Sequence, residues 1–313
     1  MADPIKISLG GYQGPNSVHT YGVEAFCAAM RRLAGDAVEI SFHPDITDTG
    51  RNAADLLGLT EGGTFDGCYF SSSYLAPRVS ALTLFDLHFA VPDKAKAFAL
   101  LDGEAGKMLA DEVTAHTGFI TLGYWDNGLR HMTTADRPLY TPADCDGLSL
   151  RILPNDNHNQ IFQSLGFHPR VIDVKEVTAA VNNGDVDAQE NPLTNTYNMG
   201  LSKSQRVVTL SGHLMGISLV LFNREKFASW PDHIRAWITQ AVDEATTAQR
   251  ARAQADEAQS KAAMLNDGVQ MVELTRAQRL AFKAAVQPAV SRIASDISPA
   301  LLKLFNVETG AAS

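Results

Sequence analysis

The sequence contains no glycine-rich GxGxxG loop, no phosphate loop, no GxSxG nucleophile elbow and no HExxH pair. Dinucleotide binding, P-loop phosphoryl chemistry, α/β-hydrolase acyl transfer and zincin proteolysis therefore lose their usual carriers. Basic runs are missing too: of 26 Lys and Arg residues the longest cluster is Arg31-Arg32, and the formal net charge is −9. Nucleic acid is excluded as a partner on that ground, because phosphate binding needs clustered cations. No stretch of about eighteen apolar residues reads as a transmembrane helix. The three cysteines, Cys27, Cys68 and Cys145, are odd in number, widely spaced and without CxxC. They exclude a disulfide framework and read as buried free thiols. The nine histidines are scattered, and His88, His116, His131 and His168 have no histidine partner at helical or strand spacing, so no metal-ligand pattern emerges. The segment HPDITDTGRN carries Asp45, Asp48 and Asn52 but lacks the spacing of a calcium loop, and reads as a cap for a helix beginning near Asn52.

What is present is an ordinary globular composition, 45% hydrophobic and 19% charged over 313 residues, a length that suits two domains. The opening MADPIKISLG enters a strand-like alternation without a basic n-region or apolar h-region. It fits either a cytosolic protein or one whose signal peptide has been removed.

Short β-branched or aromatic runs alternate with helical patterns over the first two thirds, the grammar of an α/β fold with a mostly parallel sheet. The patterns predict strands at Ile5–Leu9, Val38–His43, Gly67–Ser71, Phe119–Trp125, Leu148–Leu153, Arg170–Val174, Arg206–Leu210 and Ile217–Asn223. Helices are predicted at Val18–Leu33, Asn52–Glu61, Ala95–His116, Asn157–Leu165 and Lys175–Asn182. From Trp230 to Leu265 the residues are almost all helix formers, with Ile234, Trp237, Ile238, Ala241, Val242 and Ala245 on one face and Pro231-Asp232 as the start. About 33 helical residues would span about 50 Å, long enough to brace two lobes. A helix over Arg276–Ile297, kinked at Pro288, and a frayed tail, Val307–Ser313, complete the reading.

With catalytic grammar missing, two arginines stand out. In LSLRILPND, Leu148, Leu150 and Ile152 alternate to one face while Arg151 takes the other, near the carboxyl end of a strand, where α/β sheets bind ligands. The helix that opens at NDNHNQIF would also favour an anion. The competing reading has Arg151 neutralise a neighbouring surface acid. Arg130, in WDNGLRHMTT, carries the same planar fork and the same two readings.

Read together, NGLRHMTTADRPLYTPADCDGLSLRILPND, SLGFHPRVIDVKEVTAAVNNGDVDAQENP and SGHLMGISLVLFNREKFASWPD resemble the solute-binding subunits of TRAP transporters, the DctP family. The stretch LGLTEGGTFDGCYFSSSYLAP and the long helix add to the likeness, which covers most of the chain in order. The resemblance implies a type II-like, two-lobed α/β periplasmic binding protein with strands exchanged between lobes and a lobe-spanning helix. Lobe one is expected to comprise 1–126 plus 215–252, and lobe two 127–214 plus 253–313, closing on a hinge around a cleft between them.

The resemblance further implies that Arg151 makes a two-pronged salt bridge to a ligand carboxylate, that Asn191 of QENP hydrogen-bonds the same group, and that Arg130 is a second ligand-facing arginine. His213 matches a family histidine near the crossover and reads first as a structural hydrogen-bonder, with ligand contact as the alternative. Asp187 and Glu190 would repel a carboxylate and are expected to hold backbone on the hinge side, with Pro192 fixing the turn. Val174 and Thr178 stand where relatives carry aromatics, implying a roomier or differently shaped pocket. Phe70, Ser72, Tyr74, Gln13 and His19 are candidate first-lobe contacts. The expected function is capture of a small organic acid outside the cytoplasm by a monomer that hands it to a membrane permease, with no cofactor, no metal and no chemical step. The alternatives are an enzyme acting on an organic acid in the same cleft and a ligand-sensing domain.

Overall fold

The structure, a computed structural model, describes residues 3–307. The predicted frayed tail beyond Val307 lies outside the described residues. The chain forms two compact units. Unit one contains the chain up to Ser71, Gly106–Asn127 and Ile217–Asp256; unit two contains Ser72–Ala105, Gly128–Gly216 and the chain from Glu257 onward. Two strands, β4 (Phe119–Thr134) and β8 (Val207–Asn223), and the helix Asp232–Asn266 each pass from one unit into the other.

In unit one, β1 (Ile5–Gly10) lies parallel to both β2 (Val38–His43) and β3 (Gly67–Ser71), with Ile7 in register with Ile40 and Leu9 with Gly67. The carboxyl half of β8 then runs antiparallel to β3, pairing Phe222 with Gly67 and Ser218 with Ser71. The helix Val18–Ala34 covers this sheet. Ser17 caps it by accepting from the Thr20 amide at 3.0 Å, and Val18, Val23, Phe26 and Met30 form its buried stripe. Gly22 sits inside that helix because a Cβ there would come within 2.7 Å of the Trp125 ring. Ile234, Ile238, Ala241, Val242 and Ala245 of the long helix are buried, and each large member removed from water stabilises by about 1.5–3 kcal/mol.

In unit two, β4 pairs antiparallel with β7 (Ala188–Pro192), which pairs parallel with β5 (Ser149–Ile152), which pairs parallel with β6 (His168–Val171). A short strand, β9 (Gln270–Glu273), lies parallel to the start of β8. After β5 ends at Ile152, Leu153 and Pro154 follow, and the Asn155 side chain accepts from the amides of Asn157 and His158 and starts the helix Asp156–Gln163.

Several predicted boundaries move. β4 and β8 run uninterrupted through Asp126–Gly128 and Ser211–His213, past the predicted strand ends at Trp125 and Leu210. Gln249 supplies the missing reason in the first case: it donates to the Asp126 carbonyl at 2.8 Å and accepts from its amide at 2.9 Å, as a neighbouring strand would. The helix predicted over Ala95–His116 is two, Lys94–Leu101 and Glu104–His116, divided at Asp102-Gly103. Val174, predicted as the end of a strand, instead opens the helix Val174–Asn183, because the Asp173 carboxylate accepts from the Lys175 amide and caps it. The segment Ser72–Ala105, which the sequence reading places in lobe one, belongs to unit two. The buried Asp86 carboxylate anchors it there, accepting from Ser73 Oγ, from Asn155 Nδ2 at 2.8 Å, and lying 3.1 Å from His158 Nε2. Among the described residues no helix is long and apolar enough to cross a membrane.

Candidate functional site

The short strand β5 sets Arg151 in register with Gln189 on one side and Arg170 on the other, between Leu150 and Ile152, both fully buried. Arg151 itself is only 3% exposed. Its Nε donates to the Ile172 carbonyl at 3.0 Å. Among the described residues no carboxylate lies within ion-pairing distance of it. Burial lowers its proton affinity, an effect the nearby Tyr74 hydroxyl and the charge of Glu190 oppose and Arg130 reinforces. A guanidinium in such a setting keeps its proton. Arg151 is therefore a buried cation without a bonded counter-charge, and desolvation of that kind costs several kcal/mol until an anion arrives.

Arg130 is placed differently. It sits on β4 in register with Pro192, and its Nε and Nη2 donate to the two carboxylate oxygens of Glu190, the second at 2.7 Å. The same Nη2 reaches the Glu190 carbonyl at 2.7 Å and Asn191 Oδ1 at 3.2 Å. Both side chains of the ion pair are buried. Burial alone would raise the Glu190 carboxyl, but the charge of Arg130 and contacts from His213 and Arg130 outweigh it, leaving the net shift well below the usual carboxylate range. His213 Nε2 lies 3.3 Å from Glu190 Oε2, and its Nδ1 lies 2.8 Å from Ser211 Oγ. Burial lowers the proton affinity of His213, with Glu190 opposing.

Asn191 donates from Nδ2 to Gln189 Oε1 at 2.6 Å, and Gln189 in turn donates to Thr133 Oγ1 at 2.8 Å. These neutral groups hold the backbone of β7 beside the arginines. Asp187 accepts from the Ser149 amide and hydroxyl, the backbone-holding part expected of it. Glu190 takes another part: it grips the Arg130 guanidinium. No local signal points to that pairing.

Around Arg151 the structure gathers Tyr74, Arg130, Glu190 and Asp173, close enough for their charges to act on one another. Val174 follows Asp173 and is half-buried, and Ser72 is buried at the head of the short helix Ser72–Leu75. Phe70, Gln13 and His19 belong to unit one. Phe70 stacks on Tyr12 with ring centroids 4.4 Å apart. His19 stacks on Tyr69 at 4.9 Å, and its Nδ1 lies 3.0 Å from Gln13 Oε1. Sequence reasoning did not anticipate a second layer in unit two, where the buried His88 ring packs against His213 at 4.8 Å, Phe162 at 4.6 Å and His158 at 5.6 Å. Among the described residues no group of three or more His, Cys, Asp or Glu is arranged to hold a metal ion.

Comparison with known proteins places the chain in a family. The family model described as bacterial extracellular solute-binding protein, family 7, matches residues 9–296. The C4-dicarboxylate-binding periplasmic protein DctP of Rhodobacter capsulatus is 26% identical over 298 residues, 95% of this chain and 89% of that protein. The 2,3-diketo-L-gulonate-binding periplasmic protein YiaO of Escherichia coli is 28% identical over 257 residues, 82% of this chain and 76% of that protein. Among solved structures, a TRAP periplasmic solute-binding protein from Sulfurospirillum deleyianum with bound succinate superposes with a TM-score of 0.89 at 27% identity, covering 98% of this chain and 100% of that one.

Proposed function

The chain belongs to the bacterial extracellular solute-binding proteins, family 7, and we propose that it captures a small organic acid by pairing the acid's carboxylate with Arg151. Relatives named for, or carrying, bound carboxylic acids support the ligand class. The observation that carries the site is the buried Arg151 guanidinium, which has no acidic partner within ion-pairing distance among the described residues. Its planar fork matches the two oxygens of a carboxylate, and the charge-assisted pair is strongest where water is excluded. Tyr74 offers a neutral hydroxyl beside it, and Asn191 lies two residues along β7 from Gln189, its register partner, whereas Arg130 serves mainly to order Glu190 and β7. Binding then needs no bond-making step. In this reading the protein works in the periplasm as a monomer and passes its acid to the membrane permease of a TRAP transporter.

The test is calorimetric or thermal titration of the ligand-free protein with small carboxylic acids and, in parallel, their amides. An acid at about 100 times its dissociation constant adds about 2.7 kcal/mol of stability. Arg151→Ala is expected to weaken binding by about 2–5 kcal/mol. Acids and amides acting alike, or an Arg151→Ala protein binding as tightly as the parent, would remove Arg151 from the function.

A further inference from the structure

The site around Arg151 has a definite charge balance. Arg130 and Arg151 are the only Lys or Arg side chains among the described residues that are buried. One of them is already spent, because both carboxylate oxygens of Glu190 accept hydrogen bonds from Arg130. Asp173, the other acid whose charge reaches Arg151, is engaged by the Lys175 amide as a helix cap and adds negative, not positive, potential. His213 and His88, the titratable groups packed nearest the Arg130–Glu190 pair, are held neutral at ordinary pH by burial. Of the two buried cations, Arg130 is thus paired with a carboxylate and Arg151 is not.

We propose that the acid captured is a monocarboxylate, selected over the dicarboxylate of the same skeleton, because Arg151 is the one buried cation left to pair with it. The inference rests on the reading of Arg151 as the carboxylate's partner. A monoanion gives Arg151 the carboxylate partner it lacks. A dianion would carry a second carboxylate into the protein with no buried cation to receive it, and an unpaired buried charge is strongly disfavoured. Glu190 is thus a specificity-determining group that acts through Arg130: by neutralising one arginine, it sets the charge of the acid the other can accept.

The experiment titrates the ligand-free full chain at pH 7.5 with matched pairs in which one end differs: D-gluconate against D-glucarate, and succinamate against succinate. In each pair that binds, the monocarboxylate is expected to bind at least about tenfold more tightly. Equal affinity, or a tighter dicarboxylate, overturns the inference while leaving the carboxylate reading of Arg151 standing. Binding of none of the four acids overturns both. Glu190→Gln supplies an independent arm, since it leaves the shape in place and adds one positive charge. The ratio of dicarboxylate to monocarboxylate affinity is expected to rise by about tenfold or more in that variant. An unchanged ratio in a folded Glu190→Gln protein counts against the charge argument even if the parent prefers monocarboxylates.

Discussion

Glu190 accepts hydrogen bonds from Nε and Nη2 of Arg130 through both of its carboxylate oxygens, and neither side chain reaches solvent to any useful extent. The pair joins adjacent strands β4 and β7 and leaves Arg151 as the site's uncompensated cation. Removing one partner strands the other. Arg130→Ala is expected to destabilise unit two by about 3–5 kcal/mol, because a buried carboxylate loses its counter-charge. Arg130→Met combined with Glu190→Leu should recover much of that loss. Chemical denaturation of the three proteins checks this, and a double variant no more stable than the single one would refute it.

Arg151 should behave in the opposite sense. Arg151→Met removes a buried charge that has no bonded counter-ion, so the ligand-free protein is expected to melt at the same temperature or higher, while acids no longer shift its melting point. A clear fall in ligand-free stability would mean that Arg151 supports the fold instead of the ligand.

Acid should destabilise the protein before its carboxylates titrate. Burial lowers His19 and His131 from the ordinary 6.5 to about 3, and for His131 the positive charges of Arg279 and Lys261 add to the effect. In the unfolded chain both bind a proton near pH 6.5. Between about pH 6.5 and 3 the unfolded state therefore holds more protons than the native one, and stability falls as pH falls, by about 2 kcal/mol per histidine at pH 5. The stability these residues contribute is complete above pH 6.5. Glu190, held below its ordinary 4.5, adds a further loss as pH falls through the carboxylate range of the unfolded chain. Melting temperatures at pH 7, 6 and 5 should decline in order, and a flat series would overturn the assignment of neutral buried imidazoles.

Gly22 is expected to resist substitution. A Cβ at this position meets Trp125 Cη2 at 2.7 Å and Gln249 Cγ at 3.0 Å. Gly22→Ala gains helix propensity but overpacks the contact, and the net cost is expected to be about 1–3 kcal/mol. A stabilised variant, measured by urea titration, would show that helix and ring have room to part.

The loss of Asn155 should act at two levels. Its Oδ1 caps the helix Asp156–Gln163 and its Nδ2 donates to Asp86 and to the Ser73 carbonyl. Asn155→Ala is expected to cost more than the ~1 kcal/mol of an ordinary cap, because Asp86 remains buried with one donor fewer. Asn155→Asp keeps the cap but sets a second carboxylate against Asp86, and should be the worse of the two in a thermal melt.

Local chemistry by itself determined a good part of this protein. The strands at Val38–His43 and Gly67–Ser71, the helix from Val18 and the start of the long helix at Asp232 all follow from β-branched runs, apolar periodicity and caps that lie within a few residues of one another. The same holds for Arg151, whose place on β5 follows from the alternation of its neighbours, and the quoted motifs were enough to identify the family. The tertiary structure decided what depends on residues far apart in sequence. The sequence pattern ends a strand at Trp125, yet Gln249, 123 residues from Asp126, supplies the hydrogen bonds that keep Asp126 in a strand. Glu190 could not be assigned to Arg130, 60 residues earlier, until strand register brought them together. Nor could Ser72–Ala105 be placed with unit two until Asp86 found His158 and Asn155. Periodicity and capping are properties of about ten consecutive residues, whereas the pairing of buried charges is settled by which strands and helices meet. The free cation at Arg151 is a result of that second kind: the sequence contains two comparable arginines, and only the fold neutralises one of them.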